Sequence, residues 1–368
     1  MACASPFPPE AVALENLSSG LDWDLLLELG AEHSVLGLVA TRLSDSGFAG
    51  VPDSARVKLQ ARMRAQHLFT LSMTAELFHV LEDFAQAGIG TLLVKGPLIS
   101  LLAFGDPAVR SYVDLDLIVR DRDVLTASRR MEAVGYPADV PEAAILAGKI
   151  PGEYMFNRPG TQQLIELHTE KTFRYYPQPM RIEDLFARQR RVVVDGREIP
   201  VLSMEDEFVL NCVHGAKHFW ERLMWPTDIA AIVVRHAEMD WERVRQYAGE
   251  VGALRMVHVA LLLAKSLWGV EVPPPMAKQV EEDHPAGDLV RQIEGWLPYS
   301  GFAPPPLHRR AAFRYQMGGG GVVGASHLMR LSFSPTEEDW SNEEEKGSKI
   351  LEAVKRPFRL LRKYGQDG

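Results

Sequence analysis

The chain has only two cysteines, Cys3 and Cys212, among its 368 residues. Two cysteines cannot build a disulfide framework, and their scarcity fits a reducing compartment. No apolar run approaches the roughly 18 residues that a membrane-spanning helix needs. The opening stretch MACASPFPPEAVALENL lacks the basic and apolar segments of a secretory signal. We therefore expect a cytoplasmic protein with no membrane span.

An excess of positive charge is also absent, since the formal net charge is −9. This balance argues mildly against bulk binding to nucleic acid, although a local basic patch can override it. The glycine-rich run MGGGGVVG at residues 317–324 lacks the GK[ST] ending of a P-loop, and we interpret it as a flexible loop. The sequence gives no indication of the oligomeric state.

Hydrophobic periodicity predicts an α+β fold with a small mixed sheet. A long helix is expected at residues 55–87, strands at 91–94 and 113–119, and a hairpin between residues 153 and 170. Further helices are predicted at residues 205–222, 226–237, 240–249 and 252–268. We divide the chain into a helical N-terminal region (1–60), an α/β catalytic domain (61–200), a helical domain (201–300) and a loop-rich extension (301–368) that ends in a basic helix.

Two aspartates alternate within the apolar run VDLDLIV. Side chains at i and i+2 of a strand point to one face, roughly 7 Å apart, so Asp114 and Asp116 share a face. The run QLIELH places Glu166 and His168 on one face in the same way. If the two strands pair, three carboxylates meet, and each like-charged pair at that distance repels by about 2 kcal/mol. Protonation, solvation or bound cations can relieve this repulsion.

Hard divalent cations with oxygen ligands are the natural partners of such a cluster, and two Mg²⁺ ions suit in-line displacement at phosphorus. Upstream, the Lys95-Gly96 pair ends one strand and begins a helix, where free N–H groups and the lysine charge favour a phosphate. Each motif alone also fits a structural role, as a solvated strand face or a simple turn. Their order and their spacing to Glu166 favour phosphoryl or nucleotidyl transfer.

The run KGPLISLLAFGDPAVRSYVDLDLIV resembles the bacterial family of uncharacterised nucleotidyltransferases, within the polymerase-β-like superfamily. The family shows a Lys-Gly pair, an arginine, Asp-x-Asp, an acidic residue two before a histidine, and then HxxKHxW followed by an aspartate. The matching residues are Lys95, Gly96, Arg110, Asp114, Asp116, Glu166, His168, His214, Lys217, His218, Trp220 and Asp228. The wider superfamily usually has Gly-Ser in place of Lys95-Gly96-Pro97.

The resemblance implies a nucleotidyltransferase-like domain over residues 61–200 that moves an NMP group from an NTP to an acceptor hydroxyl and releases pyrophosphate. Asp114 and Asp116 would hold two Mg²⁺ ions, and Glu166 would ligate the catalytic metal or take the proton of the attacking hydroxyl. The nucleotide would contact Lys95, Gly96, Arg110, His168, His214, Lys217 and His218, of which Lys95 and Arg110 would neutralise phosphate charge. The acceptor is a small molecule, a peptide or a protein.

Alternatives remain for the helical segment and for the whole chain. His214 and His218 lie at i, i+4 and face the same way, either as a second wall of the cleft or as a polar helix face bonded to backbone. A zinc site would need a third ligand, and no recognised spacing supplies one. Trp220 and Trp225 fit packing better than base stacking. The chain as a whole also fits a non-catalytic nucleotide-binding module in a biosynthetic or regulatory complex, or a toxin-like transferase acting on RNA or protein.

Overall fold

The computed structural model describes residues 4–7, 20–146, 152–297, 301, 305–334, 355–356 and 359. A six-stranded mixed sheet with the order β3-β4-β2-β1-β6-β5 lies at its centre. Strand β2 runs parallel to β4 and β1 runs parallel to β6, whereas the other neighbours are antiparallel. The strands are β1 Thr91–Val94, β2 Asp114–Val119, β3 Glu153–Asn157, β4 Leu164–His168, β5 Arg190–Val194 and β6 Arg197–Val201.

Helices precede, flank and follow the sheet, which confirms the predicted α+β class. In chain order they are α1 Trp23–Glu32, α2 Leu36–Asp45, α3 Asp53–Gln86, α4 Gly96–Phe104, α5 Val124–Ala133, α6 Glu142–Leu146, α7 Ile182–Ala187, α8 Met204–Lys217, α9 Met224–Arg235, α10 Trp241–Glu250, α11 Leu254–Trp268, α12 Pro274–Glu282, α13 His284–Trp296, α14 Leu307–Met317 and α15 Gly321–Phe333. The predicted long helix, both strands and the hairpin are present. Helix α3 continues across the boundary predicted at residue 60, and the division into domains stays a prediction.

The helix predicted at residues 205–222 is shorter than expected, because α8 ends at Lys217. Phe219 and Trp220 both adopt positive φ values, of 59° and 54°, which no α-helix accommodates. The Trp220 ring folds back onto Gly215, where a Cβ would stand only 2.6 Å from it. This contact with a glycine is tertiary in origin, and helical periodicity alone does not reveal it.

The prediction of a loop over residues 317–324 is wrong in its second half. Gly319 and Gly320 form a turn with positive φ values, and helix α15 begins at Gly321. The positive φ values explain why glycine stands there. The predicted terminal basic helix, with Lys355, Arg356, Arg359, Arg362 and Lys363, falls almost entirely outside the described residues.

The core has two parts. The larger part joins the sheet to α3, α4 and the helices after residue 203, and the smaller part is built by α1, α2 and α3. The smaller part also takes in Leu223 and Met224, at the start of α9, and Leu297. The N-terminal helices therefore support the segment that follows α8. None of the helices in the described ranges is long and apolar enough to cross a lipid bilayer.

Candidate active site

Strand pairing brings the acidic residues to one place. Strands β2 and β4 are parallel and in register, with Asp116 beside Glu166 and Ile118 beside His168. Leu115 and Leu117 are fully buried on the opposite face of β2, which fixes the direction of the aspartates. The pairing that the sequence pattern required is thus present.

Asp116 is almost fully buried, at 3% exposed. Its Oδ1 atom lies 2.8 Å from Nζ of Lys95 and 2.6 Å from Nε2 of His168. Burial alone would raise the pKa of Asp116, but Lys95 and His168 outweigh it and hold this pKa well below its usual range. Asp116 is therefore ionised within a cationic setting.

The two cationic partners of Asp116 respond in the opposite direction. Burial would lower the pKa of Lys95, yet the neighbouring Asp116 carboxylate keeps it raised. Burial would likewise lower the pKa of His168, but hydrogen bonding to Asp116 and Glu166 raises it to about 9. Oε2 of Glu166 lies 3.4 Å from Nε2 of His168. Both partners carry positive charge at neutral pH.

The pKa of Asp114 is shifted in the opposite direction to that of Asp116. Burial, with the negative charges of Asp116 and Glu166, raises its pKa to about 7. Near neutral pH this carboxyl is therefore only partly ionised, and a cation placed beside it would favour the charged form. Asp116, Glu166 and His168 also offer ligand atoms that lie within 4.8 Å of one another. The carboxylates of Asp114, Asp116 and Glu166 are hard oxygen donors, whereas His168 would have to release its proton before it could bind a metal.

The Lys95-Gly96 turn joins β1 to α4 with two consecutive positive φ values, of 51° and 43°. A Cβ on Gly96 would stand 3.3 Å from the carbonyl oxygen of Asp114, so the glycine allows the turn to approach β2 closely. The Lys95 N–H donates to Oε1 of Glu207, at 3.1 Å. Burial raises the pKa of Glu207 to about 7. No sequence pattern indicates Glu207, which lies 112 residues away in the first turn of α8.

A further carboxylate, Glu153, was also missed. It begins β3, directly opposite His168 in the hairpin register. Its Oε1 atom lies 4.0 Å from Nδ1 of His168 and 3.7 Å from Nζ of Lys217, and its Oε2 atom lies 3.9 Å from Nη2 of Arg174. Burial would raise the pKa of Glu153, but Lys217, His168 and Arg174 together lower it. Only a known hairpin register could have indicated this residue.

The cleft next to the carboxylates is lined by side chains from β1, β4 and α8. Lys95, His168, His214 and Lys217 face it, together with Tyr175. The cleft is partly open to solvent. Of the two histidines predicted to form a second wall, His214 lines this cleft and His218 does not.

The rings of His214, His218 and Trp225 pack together in tilted and edge-on contacts, with centroids 4.7 to 5.6 Å apart. Burial lowers the pKa of His214 well below its usual value and that of His218 to about 3, and nearby lysines add to both shifts. The two rings are uncharged at neutral pH, so they offer no ionic attraction to phosphate. Trp220 is fully buried, as the packing interpretation predicts.

Arg110 forms a buried ion pair with Asp228. Its Nε atom donates to Oδ2 of Asp228 at 2.8 Å, and its backbone N–H donates to Oγ of Ser100. Both charged side chains are less than a tenth exposed. The predicted contact of Arg110 with phosphate stays a prediction, while its pairing with the aspartate of the same sequence motif is visible.

The carboxylate face, the Lys-Gly turn and the cleft lie next to one another in the structure. The sequence model of the family described as "Uncharacterised nucleotidyltransferase" matches residues 19–269, more than half of the chain. The chain belongs to this family of nucleotidyltransferases. No curated protein matches it.

Solved structures similar to parts of the chain include the solution structure of the antibiotic-resistance factor ANT(2'')-Ia. That structure shares 12% identity at a TM-score of 0.35, over 48% of this chain and 90% of that one. A second is the crystal structure of an antigenic nucleotidyltransferase-like protein from Paracoccidioides brasiliensis. It shares 14% identity at a TM-score of 0.32, over 59% of this chain and 91% of that one.

Proposed function

We propose that this protein is a Mg²⁺-dependent nucleotidyltransferase that moves an NMP group from an NTP to an acceptor hydroxyl and releases pyrophosphate. One observation carries the proposal: the register of β2 and β4 sets Asp116 beside Glu166, with Asp114 on the same face of β2. Membership of a nucleotidyltransferase family supports the same reaction class. The acceptor is a small molecule, a peptide or a protein.

The donor set fits divalent metal. Asp114, Asp116 and Glu166 are the residues that would hold two Mg²⁺ ions, since carboxylate oxygens are the ligands this ion prefers. The raised pKa of Asp114 marks a place where added positive charge would relieve repulsion. Bound Mg²⁺ would supply charge neutralisation at the phosphate oxygens.

The protein's own groups divide the remaining tasks. The missing side chain of Gly96 lets the turn approach β2 closely, and Lys95 brings to this turn a positive charge that would attract phosphate. Glu166 is suited to accept the proton of the attacking hydroxyl. His214 and His218 are uncharged, so they would contact the nucleotide or the acceptor through stacking and hydrogen bonds.

The proposal is tested by incubating the protein with each NTP, Mg²⁺ and panels of hydroxyl-bearing acceptors while pyrophosphate release is measured. Asp114→Asn and Asp116→Asn should lower the rate by about 100-fold or more, since even residues that only support metal ligands cost roughly 10- to 100-fold. Asp121→Asn, at an exposed aspartate just beyond β2, is the matched control and should keep the rate.

Equal pyrophosphate release by the wild type and both Asn variants would contradict the proposal. Nucleotide binding without turnover for any acceptor would instead favour the non-catalytic module. If RNA proves to be an acceptor, the steep salt dependence of nucleic-acid binding would identify the toxin-like alternative.

A further inference from the structure

Three cationic side chains gather around Tyr175 at one end of the cleft. Nζ of Lys217 lies 5.1 Å from the centre of the Tyr175 ring, and Cζ of Arg174 and Cζ of Arg314 lie 5.2 and 5.5 Å from it. The three come from separate elements: α8, the 3₁₀ segment Glu170–Tyr175 and α14. We call these three side chains the cationic subsite.

The cationic subsite adjoins the carboxylates. Tyr175 and Lys217 line the same cleft as Lys95 and His168, and they also line a smaller adjoining pocket with Arg314. Glu153 lies between the two groups, within 4.0 Å of atoms of both His168 and Lys217. A ligand that reaches from the carboxylates along the cleft therefore arrives at the cations.

Positive charge dominates at this end. Burial would raise the pKa of Tyr175, but Arg174, Lys217 and Arg314 outweigh it and lower this pKa. The local potential thus favours a negative group in a partly dehydrated place, where such attraction is stronger than in water. Arginine in particular matches the oxygens of a phosphate with paired hydrogen bonds.

We propose that the cationic subsite binds the β- and γ-phosphates of the NTP, and that Arg314 of α14 completes it. This inference rests on the proposed function. During transfer the bond from the α-phosphorus to its bridging oxygen breaks as the acceptor oxygen bonds to that phosphorus. The electron pair leaves with pyrophosphate, and the acceptor proton passes to a base. The subsite would stabilise the negative charge that gathers on this leaving group.

Helix α14 lies beyond residue 269, where the match to the family ends. The extension after the family region would then supply part of the substrate site. The competing explanation is purely structural. Arg314 donates to the Lys217 carbonyl at 3.2 Å and lies over the Phe219 ring. In this explanation its sole role is to dock α14. The two explanations differ in whether loss of the charge affects a phosphate chain.

The test measures binding of inorganic tripolyphosphate, pyrophosphate and an NMP to the full chain by calorimetry, in metal-free buffer. Arg314→Gln and Lys217→Gln should each weaken tripolyphosphate binding by about tenfold or more, the scale of one charge-assisted contact, and leave NMP binding within about twofold. Arg314→Lys should recover part of the loss. Arg310→Gln is the matched control, because Arg310 lies over Phe219 from the same helix.

The inference fails if the wild type does not bind tripolyphosphate, or if both Gln variants bind it like the wild type. It also fails if NMP and tripolyphosphate weaken together. Lys217→Gln keeps the test decisive should Arg314→Gln fail to fold. Because the readout is binding without metal, it is separate from catalysis: an inactive protein with Arg314-dependent tripolyphosphate binding would refute the proposed function alone, and an active enzyme indifferent to Arg314 would refute the subsite alone.

Discussion

Arg110 shows how a residue can match a functional motif and still have a visible structural task. Its guanidinium pairs with Asp228 in the interior, where both side chains are almost fully shielded from water. Burial raises the pKa of Asp228 to about 6, although Arg110 opposes the shift. The carboxyl is therefore mostly ionised at pH 7.5 and mostly protonated at pH 5, and the ion pair exists only in the first case.

We expect Arg110→Gln to lower the free energy of unfolding by about 3–5 kcal/mol at pH 7.5, because it leaves a buried charge without a partner. The loss should be smaller at pH 5, since below its folded pKa Asp228 takes up a proton and needs no counter-charge. Urea unfolding at the two pH values measures the difference. The control is Arg129→Gln, which removes an exposed ion pair with Glu142 and should have little effect at either pH.

An equal loss of stability at both pH values would contradict the assigned ion pair. A raised KM for NTP with unchanged stability would instead support the phosphate contact predicted from the sequence.

The carboxylates themselves were easier to predict than Arg110, because strand alternation fixes which way Asp114 and Asp116 point. No local pattern states which of many acidic residues an arginine will meet 118 residues later.

At the level of the element, the turn between β1 and α4 concentrates backbone strain. Lys95 has a φ of 51° and a ψ of −144°, a combination that residues other than glycine rarely adopt, at a cost on the order of 1–3 kcal/mol. Its N–H is held by Glu207, and Gly96 follows with a positive φ of its own. The turn is thus locally strained, and it places the charged side chain of Lys95 and the backbone of Gly96 next to β2.

Gly96→Ala should lower the free energy of unfolding by about 1–2 kcal/mol through backbone strain. It should also weaken NTP binding, since the new Cβ would stand 3.3 Å from the Asp114 carbonyl and press on β2. Gly88→Ala is the matched control: Gly88 has a φ of +72°, but no neighbouring atom lies within 4 Å of the position that a Cβ would take there. Urea unfolding and NTP titration would separate strain from position.

If Gly88→Ala and Gly96→Ala weaken NTP binding equally, the close approach to β2 has no functional importance.

The strands and the long helix could be predicted because their periodicity is local and strong. The end of α8 could not, since the turn at Phe219 and Trp220 depends on the Trp220 ring covering Gly215. The start of α15 was hidden for a different reason: glycine-rich sequence favours loops, and packing overrode that preference.

Across the whole molecule, the N-terminal helices and the start of α9 share one small core. Leu27 is buried in it at 2% exposed, and Leu223 and Met224 belong to the same cluster. His33 adds two hydrogen bonds, accepting from the Leu223 N–H through Nδ1 and from the Met224 N–H through its carbonyl. These contacts tie residues near the N-terminus to the segment that carries Trp225.

Leu27→Ala should lower the free energy of unfolding by about 2–5 kcal/mol, as expected for truncation of a buried leucine. Leu25→Ala is the control on the same helix, because Leu25 is 47% exposed, and it should change stability little. Calorimetry should show one transition that shifts as a whole, since α3 runs unbroken across residue 60. A separate early transition that alone responds to Leu27→Ala would instead support residues 1–60 as an independent unit.

The fold class and the carboxylate face could be read from the sequence because both follow from alternation along single strands. Glu153, Arg174 and Arg314 could not, because three different elements bring them together only after the sheet and helices have packed. Lys217 is an intermediate case. The sequence motif indicated Lys217 as a site residue, but only the folded structure shows that Tyr175 and Glu153 lie next to it.

The position of β2 within the sheet predicts different rates of hydrogen exchange at the two ends of the site. Strand β2 is hydrogen-bonded on both edges, to β1 and β4, so its amides should exchange with solvent only when the whole domain opens. Helix α14 lies outside the sheet and packs against α13 and α15. Hydrogen exchange should therefore be faster in α14, which carries Arg314, than in β2, which carries Asp114 and Asp116.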